Sequence, residues 1–220
     1  VIAYLRQQGF ENRAKVGIVD VGWRGRQQVS LSKILKRGGL YPEDGITGFY
    51  LTLGKPTKVF EKDKMVTFFN YQDDNKLFAY PAIYEHFVAA DHGSCVDYSL
   101  EGQLMVPVLR NKLNVEKLNW GLSVQQESIL LFTENILNSL KKYQVQVSDF
   151  QLISRALLAP FFNFPSKKEA FIYNGLTAYE DQEENKIFPI CRKLGKAELI
   201  KLFCFRNTNL GRHLWYEGSI

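Results

Sequence analysis

The sequence predicts an α/β fold, a mainly parallel sheet with flanking helices and a helical C-terminal part. Three observations carry that expectation. Val16 to Val19 form a short apolar, β-branched run ending at an acid, Asp20, and from Gln27 onward apolar residues recur at helical spacing (Val29, Leu31, Ile34, Leu35). ITGFYLTLG, Ile46 to Gly54, then reads as a buried strand, so strand, helix and strand make a βαβ unit with a parallel pair. Leu118 to Tyr143 carries the longest helical signal, with Ile129, Leu130, Phe132, Ile136, Leu137 and Leu140 three and four apart and Lys141-Lys142 suited to the C-terminal end. From Glu127 to Tyr143 that helix is expected to be core.

Taken in order, Ile2 to Gly9 reads as a short helix with a glycine stop, before the first strand. The helix after that strand ends near Gly38-Gly39, and Gly54-Lys55-Pro56 stops the second strand. Asp73-Asp74-Asn75 has turn composition, and Pro81 to Ala90 suits a helix with Ile83, Phe87 and Ala90 inward. DHGSCVDY breaks it, and Glu101 to Leu109 alternates like a strand in a hairpin. DFQLISRALLAPFFNF is helical and is expected to break at Pro160 and Pro165. SKKEAFIYNGL opens with Ser166 as N-cap and Glu169 at the capping-box position, with Gly175 as its stop. Asp181 to Glu184 reads as an exposed acidic loop, and Lys196 to Phe205 as a last helix.

At 220 residues the chain is read as a single domain, with 1–110 carrying the ligand loops and 111–220 completing it with helices. The start at Val1 rather than Met points to a piece of a longer polypeptide. With 45% hydrophobic and 23% charged residues, the composition is that of a globular protein. The first residues, VIAYLRQQGF, lack the charged and apolar regions expected of a secretory leader, and the sequence shows no run of membrane-spanning length. Cys95, Cys191 and Cys204 are an odd count without C-x-x-C spacing, which argues against a disulfide framework or zinc site and fits a cytoplasmic setting. A net charge of +5 favours anionic partners in general, including phosphorylated metabolites and anionic lipid surfaces. The basic residues are scattered, so no nucleic-acid stripe is expected.

The stretch richest in chemistry joins the first strand to its helix. Gly22 and Gly25 let backbone N–H groups approach a ligand, and Arg24 and Arg26 add charge beside a helix N-terminus. With Asp20, Trp23, Gln27 and Gln28, this stretch suits a phosphorylated sugar, Asp20 taking ribose hydroxyls and the loop a phosphate. The competing reading is an ordinary βα turn with a solvated basic tip. The stretch has neither Walker A spacing nor a dinucleotide fingerprint. A phosphohydrolase nucleophile at Asp20 lacks its usual second acid, since Gly22 holds that position. Trp23 either walls a pocket or packs under the loop.

A second candidate is Tyr84 to Tyr98, YEHFVAADHGSCVDY, where Glu85, Asp91, His92, Ser94 and Asp97 offer acid, base and hydroxyl groups around a glycine, Gly93. His92 and Ser94 suit a leaving pyrophosphate, and equally His92-Gly93 suits a helix C-cap turn. A Cys95/His92 dyad rests only on sequence proximity, and a His86/His92 metal pair has the wrong spacing for one helix face.

IVDVGWRGRQQ-x-L, GFYLTLG, YEHFVAADHGSCVDY, FPSKKEAFIYNGL and the terminal LWYEGS together resemble the region that follows a haloacid-dehalogenase-type phosphatase domain in bacterial polysaccharide-locus proteins. That region is similar to phosphoribosyltransferases that use phosphoribosyl pyrophosphate (PRPP) to place 5-phosphoribofuranose on a glycan, as in O-antigen or capsule biosynthesis. The resemblance implies a phosphoribosyltransferase or Rossmann-like fold. It also implies PRPP as donor, Mg2+ with the donor pyrophosphate, a glycan acceptor, and a phosphatase domain fused or encoded nearby. It leaves room for peripheral association with the inner face of the membrane. The family's two adjacent acids and threonine-rich loop are replaced here by a lone Asp20 before Gly22-Trp23-Arg24-Gly25. Asp20, Glu85 and His92 are the expected catalytic residues, and Gly22 to Gln28 with Asp91, Gly93, Ser94 and Tyr98 the expected substrate contacts. The alternative is a non-catalytic region that binds a phosphosugar or glycan for the phosphatase.

Overall fold

The computed structural model describes residues 1–11, 13–54, 58–70, 81–179, 187–205, 215, 218 and 219. Contacts group the chain into two compact units: Val1–Asp73 with Phe87–Gln144, and Asp74–His86 with Val145–Ile220. The Asp73-Asp74-Asn75 turn, the Asp181 to Glu184 loop, Lys55 and Pro56 lie outside the described residues.

The first unit is built on a parallel three-stranded sheet ordered β1 (Val16–Trp23), β2 (Ile46–Leu53), β3 (Lys64–Asn70), so the βαβ expectation holds. Helix α2 (Arg26–Arg37) covers one face. Its Leu35, with Leu40 and Ile46, forms a core to which Ile2 and Leu5 of α1 (Ile2–Gln7), Val16, Ile18 and Leu31 are added. On the opposite face Val19, Phe49 and Val66 lie in register across the three strands and are exposed, Val19 by 88%. A parallel sheet is normally covered on both faces; here the described helix packing covers one.

An antiparallel hairpin follows, β4 (Cys95–Glu101) and β5 (Leu104–Leu109). The long helical signal divides at Gly121, whose φ of 116° separates α4 (Val115–Trp120) from α5 (Leu122–Tyr143). The expectation that α5 is core fails. Leu122 is its buried residue, whereas Leu130, Leu131 and Phe132 are each at least 60% exposed. Three consecutive apolar residues span more than half of a helix circumference, so one packing face cannot bury them all.

The second unit holds α3 (Pro81–Phe87) through His86, then α6 (Val147–Asn163), α7 (Lys167–Tyr173), the short hairpin β6 (Thr177–Tyr179) with β7 (Ile187–Pro189), and α8 (Lys196–Phe205). Helix α3 stops at Phe87, short of the expected Ala90, which is exposed. Helix α6 runs through Pro160 instead of breaking there. Pro160 gives up the hydrogen bond that its position would make to the Ala156 carbonyl, and the burial of Phe162 beside it favours continuation. Tyr84 and Phe162 stack at 5.0 Å, Phe161 and Trp215 at 5.1 Å, and the Trp215 indole N–H donates to the Phe162 carbonyl at 3.1 Å. The Ser166–Glu169 capping box forms as expected, each partner's backbone N–H donating to the other's side chain. Among the described residues the sheets are one parallel set and two antiparallel hairpins, a mixed α/β architecture.

Candidate functional site

Strand β1 runs past Asp20 to Trp23, so the connection to α2 is only Arg24 and Gly25. Gly22 therefore sits in a strand and not in a ligand loop. Its φ is 135°, and a Cβ there would overlap the Thr52 carbonyl oxygen of β2. Close strand approach explains this glycine without a ligand. Gly25 is the N-cap of α2, with φ 68° and no side chain capping the first turn.

A glycine N-cap supplies the amides of that turn with no side-chain cap of its own, an arrangement that suits an anion. Arg24 and Arg26 flank them, both exposed and in none of the described ion pairs.

Asp20 lies opposite Tyr50 in the parallel register, and its carboxylate accepts the Gly22 N–H at 3.1 Å. It lines a groove of about 460 Å3 along the outer edge of β1, with Ile18, Val19, Val21, Gln27 and Leu31. Burial, and secondly the Asp20 charge, push the Tyr50 phenol up to about 12. Of the stretch expected to hold a phosphosugar, Asp20 and Gln27 share this groove. Trp23 ends the strand, and its side chain lies outside what is described.

Gln28 is not available to a ligand. It is fully buried, its amide N–H groups donate to the carbonyls of Ile46 and Lys64 at 3.0 and 3.1 Å, and its oxygen accepts from Tyr50 at 2.8 Å. Gly48 makes room for it, since a Cβ there would meet the Gln28 oxygen. Gln28 therefore anchors α2 to the sheet, and the expected phosphate contact is withdrawn.

Beside Gln28 lies a group that the sequence did not point to. Asp63 is 7% exposed and accepts from Ser32 Oγ at 2.6 Å, Tyr41 OH at 2.8 Å and the Ile46 N–H at 2.9 Å. Burial, then the Asp63 hydrogen bond, raise the Tyr41 phenol to about 12. In the sequence Asp63 sits within the charged run Glu61-Lys62-Asp63-Lys64, which reads as solvated surface. The available signal was Gln28, Ser32 and Leu35 at helical spacing, two polar residues on the buried stripe of α2.

The second candidate loop is closed by its own backbone. Gly93 N–H donates to the Asn111 carbonyl at 2.9 Å, Arg110 N–H to Ser94 at 2.9 Å and Asn114 N–H to Asp91 at 2.7 Å. A Cβ on Gly93 would approach the Asn111 backbone N to 2.8 Å, so this glycine too serves close approach. Its amide is thereby removed from the expected pyrophosphate contact. His92 is exposed and its Nδ1 hydrogen-bonds the Gly93 carbonyl at 2.9 Å; because α3 already ends at Phe87, His92-Gly93 is not the helix C-cap expected from the sequence. Asp91 and Ser94 are exposed, and Tyr98, on β4, stacks on Tyr4 at 4.8 Å. None of these residues lines the Asp20 groove. Glu85 is an exposed residue of α3 in the second unit. His86 is buried there, with Nε2 hydrogen-bonded to the Thr177 carbonyl at 3.1 Å. Cys95 is exposed, its thiol donating to the Asp97 carbonyl at 3.3 Å, an engagement within its own strand.

Compared with known proteins, the chain matches no family model and no curated sequence. Among the described residues no helix is long and apolar enough to cross a membrane, and no three His, Cys, Asp or Glu side chains gather as a metal cage.

Proposed function

We propose that the first unit binds a phosphorylated ribose at the β1–α2 junction and that the protein is a PRPP-dependent glycan phosphoribosyltransferase. The observation supporting this most is the pairing of the Asp20 groove with a helix N-terminus whose glycine N-cap supplies no capping side chain and that Arg24 and Arg26 flank. A carboxylate suits sugar hydroxyls, and amides with guanidinium groups suit a phosphate. Asp20 and Gln27 would hold the ribose, and the α2 amides with Arg24 and Arg26 the 5-phosphate.

In the reaction the anomeric C–O bond to pyrophosphate breaks, a bond to an acceptor hydroxyl forms, and the hydroxyl proton passes to a base. Inversion from the α donor yields a β-ribofuranoside. Within the first unit, Asp91 and His92 are the candidates for that base. Mg2+ enters as part of the donor, on its pyrophosphate oxygens, offsetting leaving-group charge. A phosphoribosyltransferase or Rossmann-like relationship, a glycan acceptor at the cytoplasmic face of the membrane and a partner phosphatase belong to the same proposal.

Calorimetry with PRPP and magnesium tests it. Saturable binding that Asp20→Ala abolishes is expected, and no heat at millimolar ligand would refute the site. One observation favours binding without transfer: the second loop spends its Gly93 amide on Asn111 and contributes nothing to the groove. Pyrophosphate release from PRPP in the presence of glycan separates the two readings.

A further inference from the structure

The second unit contains a cavity of about 490 Å3 between α7, the loop after β7 and α8. Its walls mix two kinds of group. Phe171, Leu194 and Leu199 are apolar, with Phe171 76% exposed, while Lys167, Lys193 and Asn174 are polar and exposed.

The charge balance is decided by one ion pair. Arg192 also lines the cavity, but its guanidinium is held by both oxygens of Glu198, Nη1 to Oε2 at 3.0 Å and Nη2 to Oε1, and Glu198 further accepts the Gly195 N–H at 2.9 Å. Arg192 is thereby neutralised as a pair. Lys167 and Lys193 take part in no described ion pair, which leaves two positive charges at the cavity.

The loop that carries Lys193 is pinned on several sides. The Arg192 N–H donates to Ser219 Oγ at 3.2 Å, the Cys191 thiol to the Ala170 carbonyl of α7 at 3.3 Å, and the Trp215 N–H to the Ile190 carbonyl at 2.6 Å. Gly218 lies so close over the Trp215 ring that a Cβ would overlap it. A site held this way does not have to order itself on binding. The N-terminus of α7 is closed by its own capping box, so lysines and not helix amides are the groups that meet an anion here.

We propose that this cavity is a second ligand site, separate from the Asp20 groove, for a phosphomonoester with an aromatic or apolar body. Two ammonium groups match a dianionic phosphate, and the exposed Phe171 ring with Leu194 and Leu199 takes the body, in the apolar-with-few-polar-groups pattern of small-molecule sites.

Phenyl phosphate is the probe, titrated by calorimetry into the full chain. Saturable binding is expected, weakened about tenfold or more by Lys167→Gln/Lys193→Gln and unchanged by Arg24→Gln/Arg26→Gln. Phe171→Ala should reduce phenyl phosphate to the affinity of inorganic phosphate, and benzoate should bind more weakly than phenyl phosphate to the parent chain. All of the substituted lysines, arginines and Phe171 are exposed, so the fold is retained, as circular dichroism checks. No saturable heat, binding indifferent to the lysine pair, or binding lost with the arginine pair instead would each overturn the proposal. Because the arginine variants report on the first unit, failure here is distinguishable from failure of the PRPP reading.

Discussion

Replacing Asp63 by alanine should destabilise the first unit by about 2–4 kcal/mol. The carboxylate accepts three hydrogen bonds inside the protein, from Ser32, Tyr41 and Ile46. Each bond to a charged group contributes roughly 1.5–3 kcal/mol, but the losses do not add. Ser32 Oγ also lies 2.9 Å from the Gln28 carbonyl and can turn its proton there, and Tyr41 is only half-buried, so water can replace its acceptor. The Ile46 N–H has neither recourse and is orphaned at a fully buried residue. Removing a buried carboxylate also relieves its own desolvation cost, a partial offset.

Asp63→Asn should cost only about 1 kcal/mol. The amide oxygen keeps the Ile46 and Tyr41 bonds, and the new NH2 donates to Ser32 Oγ once that hydroxyl serves Gln28. Denaturant unfolding followed by circular dichroism measures both variants. An Asp63→Ala protein within about 0.5 kcal/mol of the parent, the range of ordinary surface substitutions, would refute the claim that this carboxylate anchors α2 and β2. So would an alanine variant no worse than the asparagine one.

Two further outcomes follow from the same unit. Gly22→Ala should cost about 2 kcal/mol or more and widen the β1–β2 spacing, since the new Cβ meets the Thr52 carbonyl at a φ of 135°; a wild-type melting temperature would refute the close-approach explanation. The Tyr41 and Tyr50 phenols, each raised to about 12 from 10.0, favour the protonated form in the fold. Their contribution is therefore complete below pH 10 and is lost as pH rises through 12, visible as a stability fall in that window alongside phenolate absorbance. Asp20→Asn should bring the Tyr50 titration down, because the Asp20 charge is the second cause of its rise after burial.

Local pattern and tertiary contact divided the information in this chain unevenly. The strand, helix and strand of 16–53, the capping box at Ser166 and the hairpin after Gly93 were legible because each follows from side-chain period or from hydrogen bonds within a few residues. Asp20, Arg24, Arg26 and Gln27 were likewise nameable, and the fold places them at the glycine-capped start of α2 and along a groove. What sequence alone decided was therefore element type and the chemistry available at the β1–α2 junction.

The use of individual residues was decided in three dimensions. Gln28 has the letters of a ligand contact but is buried against Ile46, Lys64 and Tyr50 because Gly48, twenty residues on, leaves the space. Asp63 reads as surface until α2 and β2 close over it. Gly22 and Gly93 look like loop glycines, yet each is required by a neighbouring backbone distant in sequence. In α5 the apolar letters promised burial, yet Leu130, Leu131 and Phe132 stay exposed. Burial and hydrogen-bond partnership are properties of pairs far apart along the chain, and a one-dimensional pattern records only which side of its own helix or strand a residue occupies.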